Sequence, residues 1–251
     1  MNDLKGQVVL ITGASSGIGA GCARAFGALG ARVAVHYNSA RAAADEVVAD
    51  ILKSGGQAFA LQGDLRHSAQ CERVVSEAAA RWGRIDVLIN NAGSMVQRST
   101  LAELTDEAFD AVMDLNARSM MMCSKYAVVH MKDGGSIVNL TSIAARTGGG
   151  PGALMYAASK GFVSVATKAL ARELVGRDIR VNAVSPGVIR TPLHDRFSTP
   201  QHLEGMRQGI PMGRLGTVDE CVGTFIYLAS RRLSGYVTGQ VLEVNGGQHM
   251  P

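Results

Sequence analysis

The chain has 251 residues, of which 47% are hydrophobic and 18% charged. A chain of this length can bury roughly three quarters of its unfolded surface, so it can form a core without metals or disulfides. The composition excludes disordered, collagen-like and coiled-coil proteins. The net charge of +4 is spread along the chain without a long basic run, so no nucleic-acid partner is expected. Its 30 glycines indicate tight turns or close approach of the backbone to a ligand.

The cysteines and the N-terminal residues indicate a cellular compartment. Cys22, Cys71, Cys123 and Cys221 form no CxxC motif or Cys/His cluster, so neither a metal site nor a redox motif is expected. Reduced thiols are typical of cytosolic proteins. The first residues lack the apolar region of a signal peptide, and polar residues interrupt the longest nearby uncharged run, 6–23. We therefore expect a cytoplasmic protein with no membrane contact.

Short apolar runs alternate with helical patterns along the whole chain. The expected strands are 8–11, 32–37, 57–61, 86–90, 136–141, 179–184 and 240–244. The expected helices begin near residue 18 and continue at 40–54, 68–82, 105–131, 155–176 and 217–230. Strands this apolar are buried on both faces, which is typical of a parallel sheet covered by helices. The pattern predicts an α/β, Rossmann-like fold with a doubly wound seven-stranded parallel sheet, in a single domain over 1–251.

A glycine-rich turn, TGASSGIG at 12–19, follows the first strand and opens the first helix. Glycines allow the backbone to pass close to a pyrophosphate, and a helix N-terminus offers free N–H groups with a partial positive charge. The spacing GxxxGxG differs from the usual dinucleotide fingerprint, so the turn could also be purely structural. The candidate cofactor-binding residues in this turn are Gly13, Ser15, Ser16, Gly17, Ile18 and Gly19.

Tyr156 and Lys160 lie four residues apart and share one face of the expected helix. A nearby ammonium group favours the phenolate and is expected to lower the tyrosine pKa, although such a pair is often surface decoration. Ser142 ends the fifth strand and could bond a reacting oxygen, or form a turn. His36 and Trp82 carry no signal beyond a core or surface position.

Five motifs occur together in order: TGASSGIG at 12–19, NNAG at 90–93, Ser142, YAASK at 156–160 and VSPGVIRTP at 184–192. With them the chain resembles a short-chain dehydrogenase/reductase of the single-domain type, similar to 3-oxoacyl reductases and sugar dehydrogenases. The resemblance covers nearly the whole length. The interval from Ser142 to Tyr156 is one residue longer than is usual in that family.

The resemblance implies hydride transfer at a nicotinamide ring. Tyr156 would exchange a proton with the substrate oxygen, and Ser142 would orient and polarise that oxygen. Lys160 would lower the pKa of Tyr156 and bond the nicotinamide ribose. Asn116, which matches an asparagine in the helix after strand four, would hold a water linking Lys160 to solvent.

The resemblance also implies contacts to the rest of the cofactor. Asn90, Ala92 and Gly93 would lie along the adenosine ribose. Asp64 would bond the adenine, with Leu65 beside it. The residues flanking the nicotinamide would be Pro186, Gly187, Val188 and Thr191.

Cofactor choice depends on the end of the second strand. Selectivity for NAD usually needs a carboxylate there to bind the ribose 2′-OH. This end carries Tyr37, Asn38 and Ser39 without an acid, and Arg41 follows within reach of a 2′-phosphate. NADP(H) is therefore expected in preference to NAD(H).

The leading interpretation is an NAD(P)-dependent oxidoreductase acting on a small or medium polar carbonyl compound or secondary alcohol. One alternative is a catalytically silent NADP-binding regulator of the same fold, although it would not need all four catalytic residues. A second is an epimerase or dehydratase with the same Tyr/Lys pair, although such relatives carry a longer C-terminal substrate region. The resemblance implies a homotetramer of two-fold symmetry, and the helices at 105–131 and 155–176 offer apolar outer surfaces for such pairing.

The segment 190–214 is long and is expected to be a substrate lid. It holds the charged or ionisable residues Arg190, His194, Asp195, Arg196, His202, Glu204 and Arg207. If they face the substrate, the pocket is polar. In the alternative they face solvent, and the substrate meets only the apolar residues Leu193, Phe197, Leu203, Met206, Ile210 and Met212. Ser94, Met95 and the glycine loop up to Met155 would form the opposite wall.

Overall fold

The computed structural model describes residues 3–192 and 197–251 and forms one seven-stranded sheet. The strand order is β3-β2-β1-β4-β5-β6-β7, and every neighbouring pair is parallel. The strands are β1 Val8–Ile11, β2 Arg32–Tyr37, β3 Gln57–Gln62, β4 Ile85–Asn90, β5 Met131–Leu140, β6 Arg180–Pro186 and β7 Val241–Val244. The predicted α/β fold with a doubly wound parallel sheet is confirmed.

The fifth strand begins five residues earlier than its sequence pattern indicates. Met131 pairs with Ile85, and regular pairing resumes only at Ser136 opposite Val87, so the register shifts between them. The intervening residues include two glycines, and Gly134 has a φ of +95°. Glycine and polar residues are depleted in strands, which explains why the pattern shows only the later part.

Helices cover both faces of the sheet. They are α1 Gly17–Ala28, α2 Arg41–Lys53, α3 Ser68–Trp82, α4 Asp106–Met113, α5 Ser119–His130, α6 Ala144–Thr147, α7 Leu154–Leu174, α8 Pro200–Gln208, α9 Val218–Ala229 and α10 Arg231–Ser234. The predicted continuous helix over 105–131 is wrong in one respect. A π-helical turn, Asp114–Arg118, separates α4 from α5. Such turns occur often at functional sites.

Two apolar cores flank the sheet, as expected for strands buried on both faces. Val9 and Ile11 of β1 pack into one core with residues of α1, α2 and α9, whereas Leu10 packs into the other with residues of α3, α5 and α7. Strand order reverses between β1 and β4, and ligands of such sheets bind beyond the strand ends at that point. Within the described ranges, no helix is both long and apolar enough to span a bilayer.

Candidate active site

The glycine turn after β1 opens directly into α1. Gly13 and Gly17 have φ values of +63° and +54°, a region that side chains disfavour. Ser16 is the N-cap of α1, but its side chain makes no capping hydrogen bond. The first amides of α1 are therefore not satisfied by a capping side chain, which suits binding of a phosphate group.

A cleft of about 320 Å³ lies over this turn at the switch point between β1 and β4. Most of the predicted cofactor-binding residues line it, namely Gly13, Ser15, Ser16, Gly17, Ile18, Asn38, Ser39, Asp64, Leu65, Ala92, Gly93 and Thr191. Asp64 is paired with Arg66, whose Nε lies 3.0 Å from the carboxylate. This hydrogen bond holds the pKa of Asp64 below its usual range.

Apart from Lys160, four predicted cofactor residues line neither this cleft nor the second cavity described below, and each has another place in the structure. Tyr37 is packed in the apolar core, and the Asn90 amide donates to Ser124 and Asn139, each at 2.9 Å, inside the protein. Gly19 is buried in α1, where an added Cβ would lie 2.4 Å from the Gly13 carbonyl oxygen. Arg41 is largely exposed and forms a 3.5 Å ion pair with Asp45. These residues support the cleft or border it, since none reaches its wall.

His36 is a cleft residue that the sequence reasoning missed. Its Nδ1 accepts the Gly13 N–H at 3.0 Å, and its Nε2 lies 3.0 Å from the Gly63 carbonyl oxygen. This geometry requires the neutral Nε2-protonated ring, and burial lowers the pKa of His36 to about 4. The only sequence signal was a polar ring in an otherwise apolar strand. His36 connects the turn after β1 to the end of β3.

Thr12 and Asn91 tie β1 to β4 across the switch point. The Asn91 amide donates to the Thr12 and Gly13 carbonyl oxygens at 2.9 and 2.8 Å. The Thr12 hydroxyl accepts the Asn91 and Ala92 N–H groups, both at 3.0 Å. The NNAG motif therefore fixes the glycine turn mainly through its second asparagine.

Ser142 and Tyr156 line a second cavity, of about 340 Å³, which shares Ile18, Leu140 and Thr191 with the cofactor cleft. The Ser142 side chain lies near enough to the Tyr156 phenol to affect its pKa. Burial raises the pKa of Tyr156, and the Ser142 side chain lowers it in part. The phenol therefore keeps its proton at neutral pH.

Lys160 is buried beneath the site. Its Nζ donates to the Leu140 carbonyl oxygen at 2.8 Å and lies 5.8 Å from the centroid of the Tyr156 ring. Burial lowers the pKa of Lys160 to about 8. In the protein alone, desolvation of the phenol has the largest effect on the pKa of Tyr156, and the Lys160 ammonium donates to a backbone carbonyl.

Asn116 lies in the π-helical turn, fully buried. Its amide donates to the Ser94 and Val112 carbonyl oxygens at 2.8 and 2.9 Å, and its Oδ1 accepts the Ser94 N–H at 3.1 Å. The amide is therefore occupied by backbone groups. A Cβ at Gly93 would lie 2.6 Å from Asn116 Oδ1 and 3.0 Å from Lys160 Nζ, so only glycine leaves this corner open.

The wall of the second cavity is mostly apolar, with a few polar side chains. Pro186, Gly187 and Val188 line it, together with Met95, Gly149 and Gly150. Ser94 and Met155, which were expected in this wall, do not line the cavity. The polar side chains besides Ser142 and Tyr156 include Arg98, His202 and Gln248.

The expected lid contributes less charge than its sequence suggested. His202 and Met206 of α8 line the cavity, but Glu204 and Arg207 pair with each other at 2.6 Å on the exposed side. Arg190 is also exposed. The expectation that Arg190, Glu204 and Arg207 face the substrate is therefore wrong. Leu193, His194, Asp195 and Arg196 lie outside the described residues. Sequence reasoning did not single out Arg98 or Gln248.

These features fit a dinucleotide. The uncapped amides of α1 suit its phosphates. The space beside Gly93 stays open only because glycine has no side chain. The cleft and the cavity meet where Ile18 and Thr191 line both, so a ligand spanning the cleft would reach Ser142 and Tyr156. No group of three metal-ligating side chains occurs among residues 3–192 and 197–251.

Comparison with known proteins agrees with this geometry. The family model described as enoyl-(acyl carrier protein) reductase matches residues 13–249. The 3-oxoacyl-[acyl-carrier-protein] reductase of Synechocystis sp. is 38% identical over the full length of both chains. Among solved structures, the NADH-dependent reductase A1-R′ responsible for alginate metabolism is 37% identical, with full coverage of both chains and a TM-score of 0.91. A short-chain dehydrogenase from Burkholderia cenocepacia in complex with NADP is 32% identical, covers 98% of this chain and 99% of its own, and has a TM-score of 0.93.

The chain belongs to the short-chain dehydrogenase/reductase family. It is an NAD(P)-dependent oxidoreductase, and these relatives give no support to a silent regulatory protein.

Proposed function

We propose that the protein reduces a small or medium polar carbonyl compound to a secondary alcohol, with Tyr156 as the acid. The observation that carries this proposal is that Ser142 and Tyr156 line one cavity, which shares its wall with the cofactor cleft. A bound nicotinamide cofactor supplies the hydride. The name of one relative, a 3-oxoacyl-[acyl-carrier-protein] reductase, indicates a carbonyl substrate for that protein.

Each side chain of the site has a task in this reaction. Ser142 holds the substrate oxygen by a hydrogen bond, and Tyr156 donates its proton to that oxygen as hydride reaches the carbonyl carbon. The Lys160 ammonium, buried and close to Gly93, contacts the cofactor ribose and favours the phenolate left on Tyr156. Asn116 fixes Ser94 and so the corner between Lys160 and the cleft.

The pKa of Tyr156 favours the reductive direction at neutral pH. Because that pKa is raised, the phenol is the dominant form and is ready to donate a proton. Alcohol oxidation needs the phenolate as base, so its rate should increase as pH rises towards the pKa of Tyr156. A rate of oxidation that does not change with pH would contradict Tyr156 as the base.

NADPH is the proposed cofactor in preference to NADH. The cleft wall after β2 consists of Asn38, Ser39 and Ala40, so it presents no carboxylate to a 2′-phosphate. Asp64 further along the cleft is neutralised by Arg66. Arg41 is exposed at the start of α2 and directly follows Ala40 of this wall in the chain. Its positive charge would attract the 2′-phosphate. A kcat/KM that is higher with NADH would contradict this proposal.

The decisive experiment is steady-state reduction of a carbonyl panel with each cofactor, followed by the absorbance of the reduced nicotinamide. Wild type should reduce at least part of the panel, whereas Tyr156→Phe should lose more than nine tenths of kcat and keep its affinity for the cofactor. Cofactor affinity should survive because the cleft is built mainly from backbone and from residues other than Tyr156. A Phe variant that retained a tenth of wild-type kcat would contradict the role of Tyr156.

We further propose that the protein is a homotetramer and that it is located in the cytoplasm. Apolar side chains stand exposed on the outer helices, among them Val129 of α5 at 76% and Val165 of α7 at 69%. Paired copies of these helices would bury them by two-fold contact. All four cysteines are free and buried, which suits a reducing compartment. Sedimentation of the purified protein as a monomer at micromolar concentration would contradict the tetramer.

A further inference from the structure

The substrate cavity has an unbalanced charge. Its described lining contains Arg98 but no aspartate or glutamate. No carboxylate among residues 3–192 and 197–251 forms an ion pair with Arg98. A half-buried cation beside mostly apolar side chains is normally compensated by an anion. The missing negative charge could therefore be brought by the ligand.

Arg98 is held in place by backbone groups. Its Nη1 donates to the Pro151 carbonyl oxygen at 2.7 Å, and its Nε donates to the Phe197 carbonyl oxygen at 3.2 Å. The neighbouring Ser99 N–H donates to the Gly152 carbonyl oxygen at 3.1 Å. Two N–H groups of the guanidinium are thus occupied, and the others remain for a ligand. A guanidinium fixed in this way loses little entropy when it binds an anion.

Gln248 is another polar residue of the cavity wall. The Oε1 atom of Gln248 is buried and accepts no hydrogen bond from the described part of the chain. A buried acceptor of this kind costs free energy unless a donor reaches it. A hydroxyl group of a bound ligand is such a donor.

We propose that the carbonyl substrate carries a carboxylate that Arg98 binds and a hydroxyl group that donates to Gln248. This inference rests on the proposed function and narrows its substrate class to hydroxylated oxo acids. Arg98 is then a binding residue for substrate as well as a link between two loops of the cavity.

The competing explanation is that Arg98 only holds the loops together. The two explanations differ in how a substitution changes the preference between charged and neutral substrates. Loss of a purely structural link should lower kcat/KM equally for an acid and for its uncharged ester. Loss of an anion-binding group should lower kcat/KM for the acid alone by roughly ten- to a hundredfold, as expected for hydrogen bonds to charged groups.

The test measures kcat/KM for a series of oxo acids with the carbonyl at successive positions, each beside its methyl ester. It is run with the preferred cofactor on wild type, Arg98→Met and Arg98→Lys. Arg81→Met is the matched control, because Arg81 lies on the exposed side of α3 above Phe59 and lines neither cavity. Wild type and the control should prefer the acid, Arg98→Met should lose that preference, and Arg98→Lys should restore part of it.

A parallel comparison addresses Gln248. Gln248→Leu should reduce kcat/KM for a hydroxylated oxo acid relative to its deoxy analogue, and the ratio should fall roughly ten times. An unchanged ratio would overturn the hydroxyl contact.

The outcomes separate the two levels of the proposal. If wild type reduces esters as well as acids, or if Arg98→Met lowers both equally, the anionic substrate is wrong while the carbonyl reductase stands. If wild type reduces no carbonyl compound with either cofactor, the proposed function fails, and this inference fails with it.

Discussion

The cofactor cleft and the substrate cavity meet at Ile18 and Thr191, yet they are built differently. The cleft is formed where strands of the sheet end, and the side chains of buried His36 and half-buried Asn91 bond the turns that follow those strands. The cavity is formed largely by loops, which Arg98 and Ser99 connect through backbone carbonyl oxygens.

The loop after β4 shows how the cavity wall is shaped. Val96 has a φ of +61°, rare for a β-branched residue, and the Gln97 N–H donates to the Met95 carbonyl oxygen at 2.7 Å across it. This is a γ-turn of the strained kind, and such strain often occurs at functional sites. The cleft is therefore fixed at the ends of the sheet strands, whereas connecting loops shape the cavity.

The largest difference between the two regions is expected from adding one methyl group. In Gly19→Ala the new Cβ would lie 2.4 Å from the Gly13 carbonyl oxygen and 2.5 Å from Asn91 Nδ2. In Gly150→Ala it would meet only His202 Nε2, at 3.8 Å. We expect Gly19→Ala to lower the free energy of unfolding by about 3 kcal/mol or more and Gly150→Ala by less than about 0.5 kcal/mol.

Denaturant unfolding of both variants and titration with NADPH check this expectation. Gly19→Ala should also weaken cofactor binding, because the displaced turn carries the amides at the start of α1. Equal losses of stability in the two variants would show that the cavity is as tightly packed as the cleft, contrary to the comparison.

The sequence predicted the cleft better than the cavity for a physical reason. Strands buried on both faces are continuous apolar runs, and the glycine turn and the Tyr156/Lys160 pair are local in the chain, so short windows reveal them. The bond from Arg98 to Pro151 joins residues 53 positions apart, and that from His36 to Gly13 joins residues 23 positions apart. No local pattern encodes such contacts.

Two differences in secondary structure have separate causes. The π-helical turn at Asn116 inserts one residue into an otherwise regular helix, and an apolar period cannot locate it. Helix α8 was not predicted, although Thr199 caps it by accepting the His202 N–H and Pro200 follows at the first helical position. That signal was present in the sequence and was missed.

The second prediction concerns the pH dependence of stability in the cleft. Burial lowers the pKa of His36 to about 4, from an ordinary value of 6.5. The unfolded chain therefore takes up a proton more readily than the folded chain between these pH values. The stabilisation from neutral His36 is complete above pH 6.5 and is lost as pH falls towards 4, by up to about 3 kcal/mol.

His36→Asn removes this titration while it leaves an acceptor near Gly13. Its free energy of unfolding should be lower than that of wild type at neutral pH, and the gap should narrow as the pH falls towards 4. His67→Asn is the control, because His67 lies exposed on the surface. The free energies of unfolding of wild type and His36→Asn could instead change in parallel from pH 7 to 4. That result would show that protonation of His36 does not cause the loss of stability.

The smallest effect is expected from a charge on the outer edge of the cleft. Asn38 is exposed and lines the wall near the expected 2′-phosphate, so Asn38→Asp would place a carboxylate there without a change of size. Like charges repel, and a carboxylate can bind a ribose 2′-OH, so kcat/KM should fall roughly tenfold with NADPH relative to NADH, which corresponds to about 1.4 kcal/mol. Asn38→Ala, which adds no charge, should change the two cofactors about equally. Because the change lies in the cleft, the KM for the carbonyl substrate should stay the same at saturating cofactor; a large shift in that KM would show that the two regions are coupled through their shared wall at Ile18 and Thr191.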